Sequence, residues 1–463
     1  MVFSSSIFLF LFLPIVFMAN FIIKEKYSNI LLLLASLFFY AWGEPILVLL
    51  MIFTIIMNWL LGRVLIKRNG IRKKAVLVIA LILDLGILGY YKYFGFLVSI
   101  INSILGKEII TDPGITLPIG ISFFTFQAIS YMIDLYRGDV EESPKLINMA
   151  LYISFFPQLI AGPIVKYKEI NKQLENRKIT FDGISFGFKR FIYGLGKKVL
   201  ISNVLGLCVD TIYSYDISRI DGMAAWIAAL CYTFQIYYDF SGYSDIAIGL
   251  GSMFGFNIPE NFNYPYLSKS ISEFWRRWHI SLGSWFREYV YIPLGGNRKG
   301  NVRTYINLGI VFFLTGSWHG AAYSYVLWGI YHGFFSIIER LGLGKILKKN
   351  NFLAGVYCFV VVNFGWVLFR AENIVLALQH LSRMVMPWKY VDGISSWYYM
   401  DNKTIFVGIC AFLGMGIFKL LPEKITNRWN GSVLEAVYCT FILFLSMAAI
   451  VSNTYNPFIY FQF

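Results

Sequence analysis

Apolar runs long enough to cross a bilayer recur along this chain, and they restrict its fold more than any other feature. A helix needs about 20 apolar residues to span the hydrocarbon core, and the stretches Ser4 to Ile23 and Val433 to Val451 reach that length with at most one charge. The rival spanning design, a closed barrel, would show segments of about 10 residues alternating between polar and apolar. Runs such as Ile30 to Phe39 do not alternate. A soluble fold is also excluded, because 57% of the residues are hydrophobic and only 14% charged, too few polar side chains to cover a water-facing surface. The expected class is an all-α polytopic membrane protein.

Charge placement orients the first spans. The initial apolar run lacks the basic leader and small-residue cleavage site of a secretory signal, so it reads as a retained span. Arg63, Lys67, Arg68, Arg72, Lys73 and Lys74 mark a cytoplasmic loop, since basic residues collect on that side. Counting back through spans at 45–62 and 28–41 puts Lys24 inside and the amino terminus outside. The basic stretch Lys166 to Lys178 also belongs to the cytoplasm, which simple counting denies. Residues 146–163, with Pro157, Gly162 and Pro163, are therefore predicted to form a re-entrant or broken element that need not cross.

No long hydrophilic block or internal repeat interrupts the chain, so residues 1–463 are read as a single membrane domain. The formal charge of +14 is attributed to short loops facing lipid headgroups; no nucleic-acid module is present. Cys208, Cys231, Cys358, Cys410 and Cys439 lack the spacing of a metal or redox motif, and no metal is expected.

Chemistry concentrates in the least apolar portion, Asn257 to Arg303, and just beyond it. That portion reads as half-buried helices near the cytoplasmic interface, with Trp275, Trp278 and Trp285 suited to the boundary. Four histidines occur: His279, His319, His332 and His380. His319 lies in Gly316-Ser317-Trp318-His319-Gly320-Ala321-Ala322 between two apolar runs. An ionisable group at such depth faces a cavity or a partner, and apolar surroundings disfavour the charged ring, which suits a general base. The same position also fits a neutral ring satisfied inside a helix bundle. The flanking glycines allow close approach of another backbone or a substrate.

His279 sits in Phe274-Trp275-Arg276-Arg277-Trp278-His279, where a helix would put it on one face with Trp275. Lys269, Arg276, Arg277 and Arg287 match a phosphorylated donor or an acidic carrier, and equally a layer of lipid headgroups. Asp239 and Tyr243 share a helical face, either lining a channel or forming a satisfied buried network. His332 and His380 read as structural. The aromatic ending Asn456 to Phe463 is expected to dock, because it would be poorly solvated if free.

Two blocks resemble the membrane-bound O-acyltransferase family. Asn261-Phe262-Asn263-Tyr264-Pro265-Tyr266, with Ser272 to Leu282 and Ser284 to Gly296, looks like the family's signature. Trp318-His319-Gly320-Ala321 followed by Leu327-Trp328-Gly329-Ile330-Tyr331-His332-Gly333 looks like its catalytic-histidine segment, so the signature region covers 257–340. The resemblance extends over essentially the whole chain. It is closest to the branch that O-acetylates alginate, with teichoic acid D-alanylation more distant.

By this resemblance, the fold is about eleven transmembrane helices with re-entrant or interfacial helices around a central channel. The activity is transfer of acetyl groups from a cytosolic donor, acetyl-CoA or an acyl-carrier thioester, to an exported alginate- or cellulose-like polysaccharide, with no bound cofactor. His319 becomes the essential intramembrane histidine, and His279 a second catalytic residue. Tyr460 takes the place of a tyrosine implicated elsewhere as an acyl relay, although an interfacial aromatic anchor fits it too.

A separate extracellular or periplasmic acetyltransferase of the SGNH type is the implied partner, since the chain lacks room for a soluble hydrolase-like domain. Membrane lipids and a polysaccharide acceptor complete the set, in the inner membrane of a bacterium. Acyl transfer to teichoic acid, peptidoglycan or lipid remains open. A transporter or flippase is the alternative of another class; it would have no need of the acyltransferase blocks, and no inverted repeat is evident.

Overall fold

A computed structural model of the chain describes residues 1–160, 162–388, 396–416, 429, 431–452, 455–457 and 459. Among these, every regular element is a helix, and pairing between extended segments is confined to an isolated bridge, Phe262 to Trp278. That is the outcome expected where backbone groups must satisfy one another within each segment. Five helical stretches among the described residues are long and apolar enough to cross a membrane: Val48–Ile66, Gly70–Leu105, Phe181–Tyr213, Asn351–Arg370 and Val433–Ser452. The first apolar run is helical over Phe8–Ile22 and falls short of that length. The chain is a multi-pass membrane protein whose helices gather into two compact units.

The first unit comprises residues 1–191 and 246–259. Its helices include α1 (Glu25–Ala41), α2 (Val48–Ile66), α3 (Gly70–Leu88) and α4 (Ile121–Arg137). The basic residues from Arg63 to Lys74 occupy the end of α2, the turn after it and the start of α3. Asn58 of α2 donates to Asp84 of α3 at 2.8 Å, joining two buried polar groups.

The interruption predicted within 146–163 is present. Helix α5 (Leu146–Ser154) stops at Phe155, whose ψ of 108° leaves the helical region, and α6 (Phe156–Leu159) restarts with Pro157 in its first turn. Proline is suited to a first turn because its missing N–H is one that no helical carbonyl would accept. Side chains satisfy the groups released at the break. Ser36 Oγ accepts the Phe156 N–H at 3.1 Å, and Gln158 Nε2 donates to the Tyr152 carbonyl at 2.7 Å.

The second unit comprises residues 192–245 and 260–463 and contains every candidate site residue that the structure describes. It is built from α7 (Asn203–Tyr213), the portion of α8 (Gly222–Met253) up to Asp245, the short helices α9 (Ile271–Arg277) and α10 (Ile280–Phe286), α11 (Asn301–His319), α12 (Tyr323–Ile338) and α13 (Asn351–Arg370). Helices α11 and α12 form a hairpin in contact along glycine. A Cβ on Gly329 would stand 2.3 Å from the Phe312 carbonyl oxygen and 3.0 Å from Gly316 Cα. Small residues permit such approach where apolar lipid offers no competing drive for association.

The core of this unit is aromatic and takes in the signature tryptophans. Trp278 and Trp285 are buried, while half-buried Trp275 packs edge-on against Trp328 and His332. Trp278 stacks on Phe274 with centroids 5.5 Å apart and meets Trp366 at 4.9 Å. These indoles meet aromatic partners within the protein, in the offset and edge-on arrangements that such rings prefer.

Candidate active site

The signature block folds back on itself, and that pairing shapes the site. Helix α9 begins under double control: Ser270 Oγ accepts the Glu273 N–H at 3.1 Å, and the buried Glu339 carboxylate accepts those of Ile271 (2.5 Å) and Ser272 (3.1 Å). The helix ends where the chain meets the preceding segment. Asn263 N–H donates to the Arg277 carbonyl at 2.9 Å, and Ile280 N–H to the Asn261 carbonyl at 3.0 Å, flanking the bridge between Phe262 and Trp278. His279 is thereby held at φ 47°, ψ 54°. The expectation that His279 shares a helical face with Trp275 is therefore corrected: the helix stops before it, because cross-segment hydrogen bonds replace helical ones.

His279 and Tyr264 are the two non-glycine residues with positive φ among those described, and both lie in the signature block. A left-handed conformation costs a side-chain-bearing residue about 1–2 kcal/mol. Strain of this kind persists where surrounding structure over-determines it, often at functional sites.

The imidazole of His279 is held in one tautomer. Asn261 Oδ1 lies 3.1 Å from His279 Nδ1 and also accepts from the Ser281 N–H (3.2 Å) and Ser281 Oγ (2.9 Å), while Asn261 Nδ2 donates to Ser244 Oγ at 3.1 Å. The backbone N–H of Ser281 can only donate, so Oδ1 is the acceptor and His279 Nδ1 carries its proton. That leaves Nε2 as the basic nitrogen of the neutral ring. Burial pushes the imidazole down to about 3, keeping it neutral at physiological pH. Asn261→Leu is expected to lower acyl transfer about tenfold or more, since loss of one orienting hydrogen bond of about 1.4 kcal/mol in the transition state has that effect. Activity measured at equal membrane abundance checks this; an unchanged rate would remove Asn261 from the site.

His319 is the last residue of α11, and Gly320 beyond it is extended. Its buried ring is boxed by Trp318, Trp328 and Phe369, at centroid distances of 4.9, 5.1 and 5.2 Å. A Cβ on Gly320 would come within 2.3 Å of the Tyr325 ring, so this glycine admits a neighbouring side chain. Trp318 also meets His279, at 6.1 Å, while Phe240 lies against His279 at 4.6 Å. The two histidines singled out in the sequence thus come together around one indole. Two buried imidazoles are thereby gathered into one aromatic cluster beside small-residue backbone.

The basic residues separate into two groups. Lys269, Arg276 and Arg287 are exposed. Arg277 instead pairs with Glu273 one turn earlier, at 2.8 Å and 3.0 Å, and reaches the Asn263 carbonyl. Asp239 forms an ion pair with Lys198 at 2.6 Å, both side chains 1% exposed. Tyr243, one turn on, presents its ring 5.8 Å from the same ammonium, so the shared face belongs to a buried polar network. His332 is enclosed by Trp275, Trp328 and Tyr331, and His380 stacks on Tyr213.

Tyr460 lies outside the described residues. The described part of the ending is docked: Ile459 is buried and its N–H donates to Asp239 Oδ2 at 3.2 Å. Asn261, Ser281, Ser244 and Lys198 were not singled out in the sequence. Asn261 and His279 stand in the two halves of the signature, and their common membership in that block was the available signal.

The family model for membrane-bound O-acyltransferases matches residues 139–379. Over its full length the chain is 40% identical to the whole of a protein of Pseudomonas putida named probable alginate O-acetylase. The chain belongs to the membrane-bound O-acyltransferase family. It is accordingly an enzyme, an O-acyltransferase. A peptidoglycan O-acetyltransferase of Helicobacter pylori is 36% identical over 83% of this chain and 80% of its own. The teichoic acid D-alanyltransferase of Bacillus subtilis is 29% identical over 55% of this chain and 69% of its own. Both histidines fall within the segment that the family model covers.

Proposed function

We propose that this acyltransferase moves acetyl groups from a cytosolic thioester, acetyl-CoA or an acyl carrier, across the membrane for O-acetylation of an exported cell-surface polysaccharide. The acetylase names of the Pseudomonas and Helicobacter relatives support acetyl as the acyl group and a cell-envelope polymer as the acceptor. The reading rests most heavily on the clustering of His319 and tautomer-locked His279 around Trp318.

In the proposed step a hydroxyl oxygen bonds to the thioester carbonyl carbon while neutral His319 accepts the hydroxyl proton. The carbon–sulfur bond breaks, and the departing thiolate takes up the proton. His279, neutral and with Nε2 as its acceptor nitrogen, holds the acceptor hydroxyl in line by a hydrogen bond. Tyr460 serves as the first acceptor, giving an aryl ester that a partner passes on. Lys269, Arg276 and Arg287 meet the donor's phosphates or an acidic carrier surface, and Arg277 holds the signature block through Glu273 rather than holding the donor alone.

About eleven spans around a central channel, in one membrane domain of residues 1–463 in a bacterial inner membrane, would give both substrates access. A separate extracellular or periplasmic acetyltransferase of the SGNH type would complete transfer to the polymer. In cells lacking the protein, ester-linked acetate on surface polysaccharide is expected to disappear and to return on complementation. Isotopic label supplied as acetyl-CoA to inside-accessible membranes is expected to appear on the polymer when the partner is present. Label on lipid or on teichoic acid alone would replace the polysaccharide by that acceptor.

A further inference from the structure

Ion pairs removed from water lose hydration that their mutual attraction only partly restores, and they persist where further polar groups satisfy both charges. Lys198, on the π-helical stretch Lys197–Ser202, and Asp239, within α8, make such a pair in the second unit. Their remaining polar positions are met by the end of the chain. Lys198 Nζ donates to the carbonyl oxygen of Pro457, and Asp239 Oδ2 accepts the N–H of Ile459 at 3.2 Å while Oδ1 faces the ammonium. The cation takes a main-chain acceptor and the anion a main-chain donor two residues later.

We propose that Lys198 and Asp239 form the receptor of an intramolecular peptide site for the chain's own carboxy-terminal segment, and so act as positioning residues for the tail that accepts the acetyl group. This assignment rests on the reading in which Tyr460 is the relay. The recognition is of backbone polarity and register, so it is indifferent to the side chains at 457 and 459 apart from burial. Pro457 carries no N–H that would need a partner there.

Adjacent anchors continue the site. Tyr455 OH donates to Asp210 Oδ2 at 2.6 Å, while Asp210 Oδ1 is held by Arg370 at 2.7 Å. Asn203 Nδ2 reaches Asn456 Oδ1 at 3.3 Å and the Tyr455 carbonyl at 3.4 Å. Gly206 leaves space alongside, since a Cβ there would stand 2.5 Å from Gln235 Nε2 and 3.2 Å from Tyr455 OH. Residues 455, 456, 457 and 459 are thus each tied to α7, α8 or the π-helical stretch between residues 197 and 202.

Hydrogen exchange and carboxypeptidase digestion of the purified full chain in detergent test the assignment. In the wild-type protein the amide of Ile459 is expected to be protected, and digestion to slow before residue 459; a rapidly exchanging Ile459 amide would overturn the receptor. Lys198→Met with Asp239→Leu removes both charges together and both tail contacts, and is expected to speed loss of residues 455–459 about tenfold or more, because proteolysis follows the open population. Lys198→Gln with Asp239→Asn keeps a donor and an acceptor without charge and is expected to restore slow digestion. Wild-type digestion of the apolar pair would refute the receptor, since a pair serving helix packing alone has no bearing on the tail. Tyr460→Phe is expected to keep slow digestion and lose polymer acetylation. Acetylation at the wild-type rate in that variant would reject the relay while leaving the receptor intact.

Discussion

Replacement of His319 by glutamine is expected to lower acetylation of the surface polymer by about 100-fold to 10,000-fold, the usual contribution of a positioned general base. Glutamine keeps a polar side chain of similar reach but cannot take up and return a proton near neutral pH. The position favours a clean result. His319 closes α11, and Gly320 already departs from helical backbone, so the exchange interrupts no helix. The hairpin that carries it is held by the backbone contact of Gly316 with Gly329, in which the His319 side chain takes no part. Ester-linked acetate on the polymer, normalised to the amount of enzyme in the membrane, measures the effect. Acetylation near the wild-type level would eliminate His319 as the base.

The features legible in the sequence were those set by the chain's nearest neighbours or by the solvent. Apolar runs without alternation gave helices, and Pro157 beside Gly162 marked a helix interruption that the structure places at Phe155. The glycines around His319 signalled close approach, which occurs between α11 and α12. The docking of the described part of the ending, at Asn456, Pro457 and Ile459, agrees with the expectation drawn from an apolar tail that water would solvate poorly. The pairing of Arg277 with Glu273 was equally readable, because an acidic residue four positions before a basic one is a local helical pair.

Other features depended on contacts that no local pattern encodes. The run Phe274 to His279 contains neither glycine nor proline, so a continuous helix was the natural expectation. It ends because Asn261 to Asn263 capture its backbone, and the same Asn261 fixes the tautomer of His279. Lys198 lies 41 positions before Asp239 and far from the chain end, so neither its ion pair nor its hold on Pro457 was visible. Tryptophan beside arginine gives no sign of which rings it will meet, so the packing of Trp278 on Phe274 and Trp366 was not legible.

Alanine at Gly329 and alanine at Gly309 are expected to have opposite effects, although both glycines lie in the α11–α12 hairpin. At Gly309 a Cβ meets nothing within 4 Å. The substitution is therefore expected to be neutral or to stabilise by up to about 1 kcal/mol, the helix-propensity difference between the two residues. At Gly329 the added carbon would lie 2.3 Å from a carbonyl oxygen and 3.0 Å from Gly316 Cα, both backbone atoms that no rotamer change can move aside. The helices must separate, at a cost of about 1–3 kcal/mol or more for overpacking. Thermal midpoints of the two variants in detergent compare these costs directly; equal midpoints would show that the glycine contact does not hold the hairpin. Separation would also move the end of α11, where His319 meets Trp328 of α12. A displacement of about 1 Å at a reacting group can reduce a rate about 100-fold, so Gly329→Ala protein that survives in the membrane should transfer acetyl groups poorly while Gly309→Ala protein retains the wild-type rate.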